Sequence, residues 1–141
     1  MTPHQVALVR EGFERIAPNA EDVGMAFYAK LFELDPKLRA MFPRDLRSQV
    51  GHLMGALAMV VRSLHDLGPV LGRVQALGRR HAAYDVKPEQ FATVGAAFLA
   101  TLAAGLGDAF TDEARDAWST AYSTLADAMI AAMDEPAPLA A

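Results

Sequence analysis

Proline divides this chain into helix-length pieces. Pro3, Pro18, Pro36, Pro43, Pro69 and Pro88 stand between runs whose apolar residues recur every three or four positions. Proline lacks an amide donor and its ring collides with the preceding turn, so an α-helix begins or ends at it. No stretch alternates apolar and polar residues long enough to argue a strand. The chain is therefore expected to be all-α.

The pieces carry their own start and stop signals. Thr2-Pro3-His4-Gln5 reads as a capping box with proline at the first helical position. Val6, Val9, Phe13 and Ile16 then follow one face, until Pro18. Asn19 is placed to cap a second helix that buries Val23, Phe27, Leu31 and Phe32 and stops before Pro36. A short helix, 37–42, closes at Pro43, and a long one is expected from Leu46 to Leu67. The next begins near Pro69, another at Pro88, and Gly105 and Gly107 end that one. The last opens at Thr111 and carries Trp118, Tyr122, Leu125 and Met129. Residues 134–141 contain two prolines and read as a flexible tail to a domain of residues 1–133. Gly24, Gly51 and Gly55 fall inside these helices, where glycine costs about 1 kcal/mol relative to alanine, so close helix crossings are expected there.

A chain of 141 residues suits one domain with a sizeable core. Its 52% apolar content is high for a globule, as a protein enclosing an apolar cofactor or an oligomer interface would require. The absence of cysteine excludes disulfides and thiolate-held metals. Thirteen scattered cationic residues against seventeen acidic ones give no basic patch for nucleic acid. Glu11 and Glu14 leave no apolar signal core near the start, and no apolar run reaches the roughly 18 residues of a membrane span. A cytoplasmic protein without a membrane or nucleic-acid partner is expected.

His81 carries the chemistry of interest. Val70, Val74, Leu77 and His81 share one stripe, so the imidazole points where the apolar residues point. A lone histidine on such a face is more often a hydrogen-bonded core residue than a ligand. An aromatic residue such as Tyr28 usually packs, and Gln49 by itself reads as an exposed helix residue. Phe42 reads locally as a core anchor.

The combination is more telling than its members. Leu77-Gly78-Arg79-Arg80-His81-Ala82-Ala83-Tyr84-Asp85-Val86 follows Phe27-Tyr28-Ala29-Lys30-Leu31-Phe32, Met41-Phe42-Pro43 and the pair Gln49 and Leu53. From about Val6 to Ile130 the chain resembles the single-domain bacterial haemoglobins and the globin domain of flavohaemoglobins. The resemblance implies a globin fold of about six to eight helices enclosing haem b. It implies that His81 is the proximal iron ligand, and that Tyr28, Gln49 and Leu53 line the opposite, ligand-binding side. Gln49 lies seven residues after Phe42 and 32 before His81, the separation at which the family places its distal glutamine. A competing alignment puts Leu53 there and Leu57 four residues on, but breaks both spacings. Phe42, Leu77, Val86, Phe91, Val94 and Phe98 are expected haem contacts, with Leu125 and Met129 as further candidates. His52 is expected at the rim near a haem propionate, or alternatively as a ligand to ferric iron. His4 and His65 are expected to be solvated.

The chain departs from flavohaemoglobins behind the histidine. Those proteins carry a tyrosine ten residues after it and a glutamate near the end of the last helix, which together hydrogen-bond the imidazole. Phe91 and Met133 occupy these places here. Neither accepts a proton, so the imidazole N–H is expected on a backbone carbonyl of its own helix. The family's ligands are O2, NO and CO. The resemblance accordingly implies tight oxygen binding, which suits scavenging better than transport. Alternatives are nitric oxide dioxygenation, which detoxifies NO but needs a separate reductase, a gas sensor, and a haem-free helical interaction module.

Overall fold

The computed structural model describes residues 1–83 and 86–133; Tyr84, Asp85 and the expected tail 134–141 lie outside the described residues. Six α-helices account for most of them: α1 Pro3–Ile16, α2 Ala20–Leu34, α3 Arg47–Arg62, α4 Leu71–Ala83, α5 Gln90–Leu106 and α6 Asp112–Met133. Among the described residues there is no strand.

The helix ends follow local chemistry, with informative exceptions. Thr2 and Gln5 form the expected reciprocal cap: the Gln5 amide donates to Thr2 Oγ1 at 3.1 Å, and the Thr2 amide donates to Gln5 Oε1 at 2.9 Å. Asn19 does not cap α2 through its side chain. Instead a 3-10 turn, Ala17–Asn19, carries α1 almost directly into α2. The short helix is a 3-10 helix, Pro36–Met41, opened by the Asp35 carboxylate accepting from the Lys37 amide at 3.2 Å; Phe42 is already extended. Before α3, Asp45 accepts from both the Arg47 amide and its guanidinium. Those hydrogen bonds lower the Asp45 pKa to about 2.

The long helix ends at Arg62, not Leu67. Arg10 of α1 donates to the carbonyls of Val61 and Arg62 at 3.4 and 3.1 Å. These are among the carbonyls that helix termination leaves without intrahelical partners. The same guanidinium stands 2.9 Å from His65 Nδ1, so His65, though exposed, is tied to α1. A 3-10 turn, Gly68–Val70, then leads into α4. Gly107, at φ +54°, ends α5, and Thr111 Oγ1 accepts from the Ala114 amide at 3.1 Å to start α6.

α2 packs on α5 and α3, α1 on α6 and α3, and α4 chiefly on α6. Three apolar clusters result. Val9, Val60, Leu102 and Trp118 centre one among α1, α3, α5 and α6. Phe27, Tyr28, Leu31, Leu38 and Val50 make a second around α2. Val74, Phe91, Ala126 and Met129 make a third, among α4, α5 and α6. Contrary to the sequence reading, the segment Gln90–Ala109 is long and apolar enough to cross a membrane. Alanine, glycine and uncharged threonine fill the positions between its larger apolar residues, and Asp108, at its very end, is its one charge. In the fold most of it is α5, packed against α2, α6 and α1.

Only one of the three glycines expected at crossings is at one. A β-carbon at Gly24 would stand 2.5 Å from Val50 Cγ1, whereas one at Gly51 or Gly55 would meet nothing within 4 Å. Val50 is β-branched and 3% exposed, so it has little freedom to turn aside. Gly24→Ala is expected to destabilise the fold by about 1–3 kcal/mol through overpacking, outweighing its gain in helix propensity. Gly51→Ala, with the same propensity gain and open space, should stabilise by about 0.5–1 kcal/mol. Urea unfolding midpoints of the two variants check the contrast.

Candidate functional site

A cavity of about 220 Å³ lies where the three clusters meet. Tyr28, Gln49, His52, Leu53, Leu77, His81, Phe91, Val94, Phe98, Leu125 and Met129 all stand on its wall. Helical spacing brings the α3 members together: Gln49, Leu53, Leu57 and Val60 continue one stripe along the helix, and Leu64 follows just past its end. From α4, Leu77 and His81 face them.

His81 is half-buried. Its Nδ1 lies 2.6 Å from the Leu77 carbonyl oxygen, one turn back. A carbonyl only accepts, so Nδ1 donates to it and the lone pair sits on Nε2. This is the backbone acceptor that Phe91 and Met133, lacking a strong side-chain acceptor, leave to the imidazole. The Val86 amide donates to the His81 carbonyl at 3.0 Å, which closes the end of α4 around the histidine. The Phe91 ring tilts against the imidazole, with centroids 6.0 Å apart at 42°.

Tyr28 is 4% exposed and held by three phenylalanines. Phe27 and Phe42 meet its ring edge-on at 5.0 and 5.4 Å, and Phe32 stacks at 6.1 Å. Burial raises its pKa, opposed by a polar contact with Gln49 that lowers it. The phenol is thus a neutral donor beside the Gln49 amide, on the wall shared with His81. His52 stands exposed at the cavity edge.

Two expected contacts are set back from the cavity. Phe42 packs behind Tyr28 instead of on the wall, because the chain turns extended at this residue and directs the ring at α2. Arg39 holds that corner by donating to the carbonyls of Phe42, Pro43 and Arg44 at 3.0–3.3 Å. Its guanidinium also lies 5.3 Å from the Phe32 centroid. Val86 packs into the α4–α6 cluster. In the other direction, Trp118, Ala121, Tyr122 and Ala126 of α6 reach the wall, though none was expected as a site residue. Their spacing along α6 was the available signal. Tyr122 donates its hydroxyl to the Phe91 carbonyl at 2.7 Å, and burial raises its pKa.

Among the described residues no group of three histidine or carboxylate side chains could hold a bare metal ion. A metal in this cavity must bring most of its own ligands and an apolar body that fits the walls. A haem does both, taking one imidazole from the protein.

Comparison with known proteins agrees with this chemistry. Residues 25–129 match the family model described as Globin. The chain is 34% identical over 136 residues to a protein named neuroglobin from Danio rerio, covering 86% of each. It is 33% identical over 137 residues to a flavohemoprotein from Deinococcus radiodurans, covering 92% of this chain but 33% of that protein. The flavohemoprotein from Rhodopirellula baltica is 30% identical over 128 residues, with 31% of its length covered. The chain thus spans about a third of the flavohemoproteins it matches. A bacterial globin structure from Campylobacter jejuni superposes with a TM-score of 0.84 over 94% of this chain and 96% of that one, at 24% identity, and so shares the fold. The chain belongs to the globin family of haem-type, gas-binding proteins.

Proposed function

We propose that this globin takes up haem b with His81 as the iron ligand and holds molecular oxygen tightly through Tyr28 and Gln49. The observation that carries the reading is a shared wall: an imidazole whose Nδ1 is committed to Leu77 lines the same cavity as a buried phenol and an amide. The haem supplies the iron that takes up a diatomic gas. Everything else falls to the chain. His81 presents Nε2 as a neutral donor atom. Tyr28 stays protonated and directs an O–H into the ligand space, where its three aromatic neighbours restrict its rotation. Gln49 supplies a second N–H beside it. Leu53, Val94 and Phe98 exclude water, which strengthens both hydrogen bonds. His52, at the edge, offers a polar group to the haem propionates.

A second activity, oxidation of nitric oxide to nitrate by bound oxygen, would use the same Tyr28–Gln49 wall. It would require a separate reductase to return the iron to the ferrous state.

Absorption spectra of the purified, haem-reconstituted protein test the proposal. The ferrous form is expected to take up oxygen and carbon monoxide with the distinct bands of a histidine-ligated haem. A protein that binds no haem would overturn it. For the second activity, mixing the oxygenated form with nitric oxide should yield one nitrate per haem; an unreacted oxygenated form would rule that activity out.

A further inference from the structure

Helix α6 touches both chain segments that flank His81. Before the histidine, Gly78 rests on the backbone of Met129: a β-carbon at Gly78 would stand 2.8 Å from the Met129 α-carbon. The obstacle is main chain, so no side chain can swing away to admit it. After the histidine, Tyr122 donates to the Phe91 carbonyl in the first turn of α5, at 2.7 Å. Its ring packs against Gly95, where a β-carbon would come within 2.8 Å of Tyr122 Cε2. Phe91 is the residue whose ring meets the imidazole. α4 has its main packing partner in α6, so these two points govern where the segment carrying His81 sits.

We propose that Gly78 and Tyr122 are positioning residues for His81, through which α6 sets the depth and tilt of the imidazole over the cavity. The proposal rests on the reading of His81 as the iron ligand. Gly78 sets how closely α4 approaches α6, and a β-carbon there pushes the helix off its seat. Tyr122 holds the start of α5, and with it the Phe91 ring that limits how the imidazole turns. Flavohaemoglobins were expected to orient this histidine through polar side chains behind it; here the same task falls to one glycine contact and one hydrogen bond to backbone.

Three haem-loaded variants test this: Tyr122→Phe, Gly78→Ala and Gly72→Ala. A β-carbon at Gly72, on the same helix, would meet nothing within 4 Å, so that variant changes helix propensity alone. The readouts are the ferrous iron–histidine stretch by resonance Raman, the rate of haem transfer to an excess scavenger, and thermal unfolding. Tyr122→Phe keeps the ring and removes one neutral hydrogen bond. It should speed haem loss about three- to tenfold and shift or broaden the iron–histidine band. Gly78→Ala should do both more strongly, and Gly72→Ala should match the wild type. If Gly78→Ala does not fold, Tyr122→Phe decides alone. Lowered thermal stability with an unchanged band and haem-loss rate would make the contacts merely structural and overturn the proposal. An equal shift in Gly72→Ala would overturn it too. A wild type that takes up no haem would overturn the underlying reading as well, whereas unchanged bands in haem-loaded variants overturn only the positioning.

Discussion

His81→Ala is expected to leave the protein nearly free of haem while its helix content stays unchanged. The side chain is half-buried, alanine suits a helix interior, and among the described residues the hydrogen bond lost is the one to Leu77, whose carbonyl lies within the helix. What disappears is the donor atom facing the cavity. His52 brings the other imidazole on the wall, but it stands exposed at the edge and on the opposite helix. Haem content from the absorbance ratio, beside far-ultraviolet circular dichroism, measures both halves of the expectation. Added imidazole should restore haem uptake by filling the emptied volume with the same donor. A variant that keeps the wild-type spectrum without imidazole would place the iron ligand elsewhere.

The next largest effect is expected at Tyr28. Tyr28→Phe deletes one hydroxyl and keeps the ring that Phe27, Phe32 and Phe42 enclose, so little packing is lost. Hydrogen bonds to a charged partner contribute about 1.5–3 kcal/mol, and bound oxygen carries partial negative charge. Oxygen should then dissociate roughly tenfold to a hundredfold faster, by stopped flow. Carbon monoxide, which carries less charge, should change less. Gln49→Leu should act in the same direction and more weakly, and the double variant should fall short of the product, because both groups serve one ligand. The pH dependence follows from burial. Desolvation raises the Tyr28 pKa and the Gln49 contact only partly offsets it, so the donor O–H persists beyond the ordinary tyrosine value of about 10. The oxygen off-rate should therefore stay flat through mildly alkaline pH. An unchanged off-rate in Tyr28→Phe would reduce the tyrosine to a packing residue.

The helices were readable because their determinants are local. Proline, the Thr2–Gln5 cap and three-to-four spacing act within a turn or two of the residues they govern. The early end of α3 was not readable, because the Arg10 guanidinium that meets its last carbonyls arrives from another helix. The glycines show the same division. Nothing in the neighbouring sequence separates Gly24 and Gly78, which seat against other helices, from Gly51 and Gly55, which meet open space. Of the candidate site, the residues on α3 and α4 were legible from spacing and from resemblance. That Phe42 stands behind Tyr28 was not legible, because its direction depends on an extended residue and on the Arg39 corner. The Tyr122 hydrogen bond was invisible because its acceptor, a main-chain carbonyl, has no sequence signature.

The division of the interior into three clusters around one cavity bears on how the molecule comes apart. Apolar clusters unfold together when they share buried surface, and here much of the shared surface faces the cavity. With the cavity filled, the guest links all three and melting should be a single cooperative event. Emptied, α4 and its cluster lean chiefly on α6, while α1, α3, α5 and α6 retain their own core around Trp118. The melting profile then becomes a gauge of occupancy, because a tightly bound cofactor makes the number of unfolding steps depend on whether it is present.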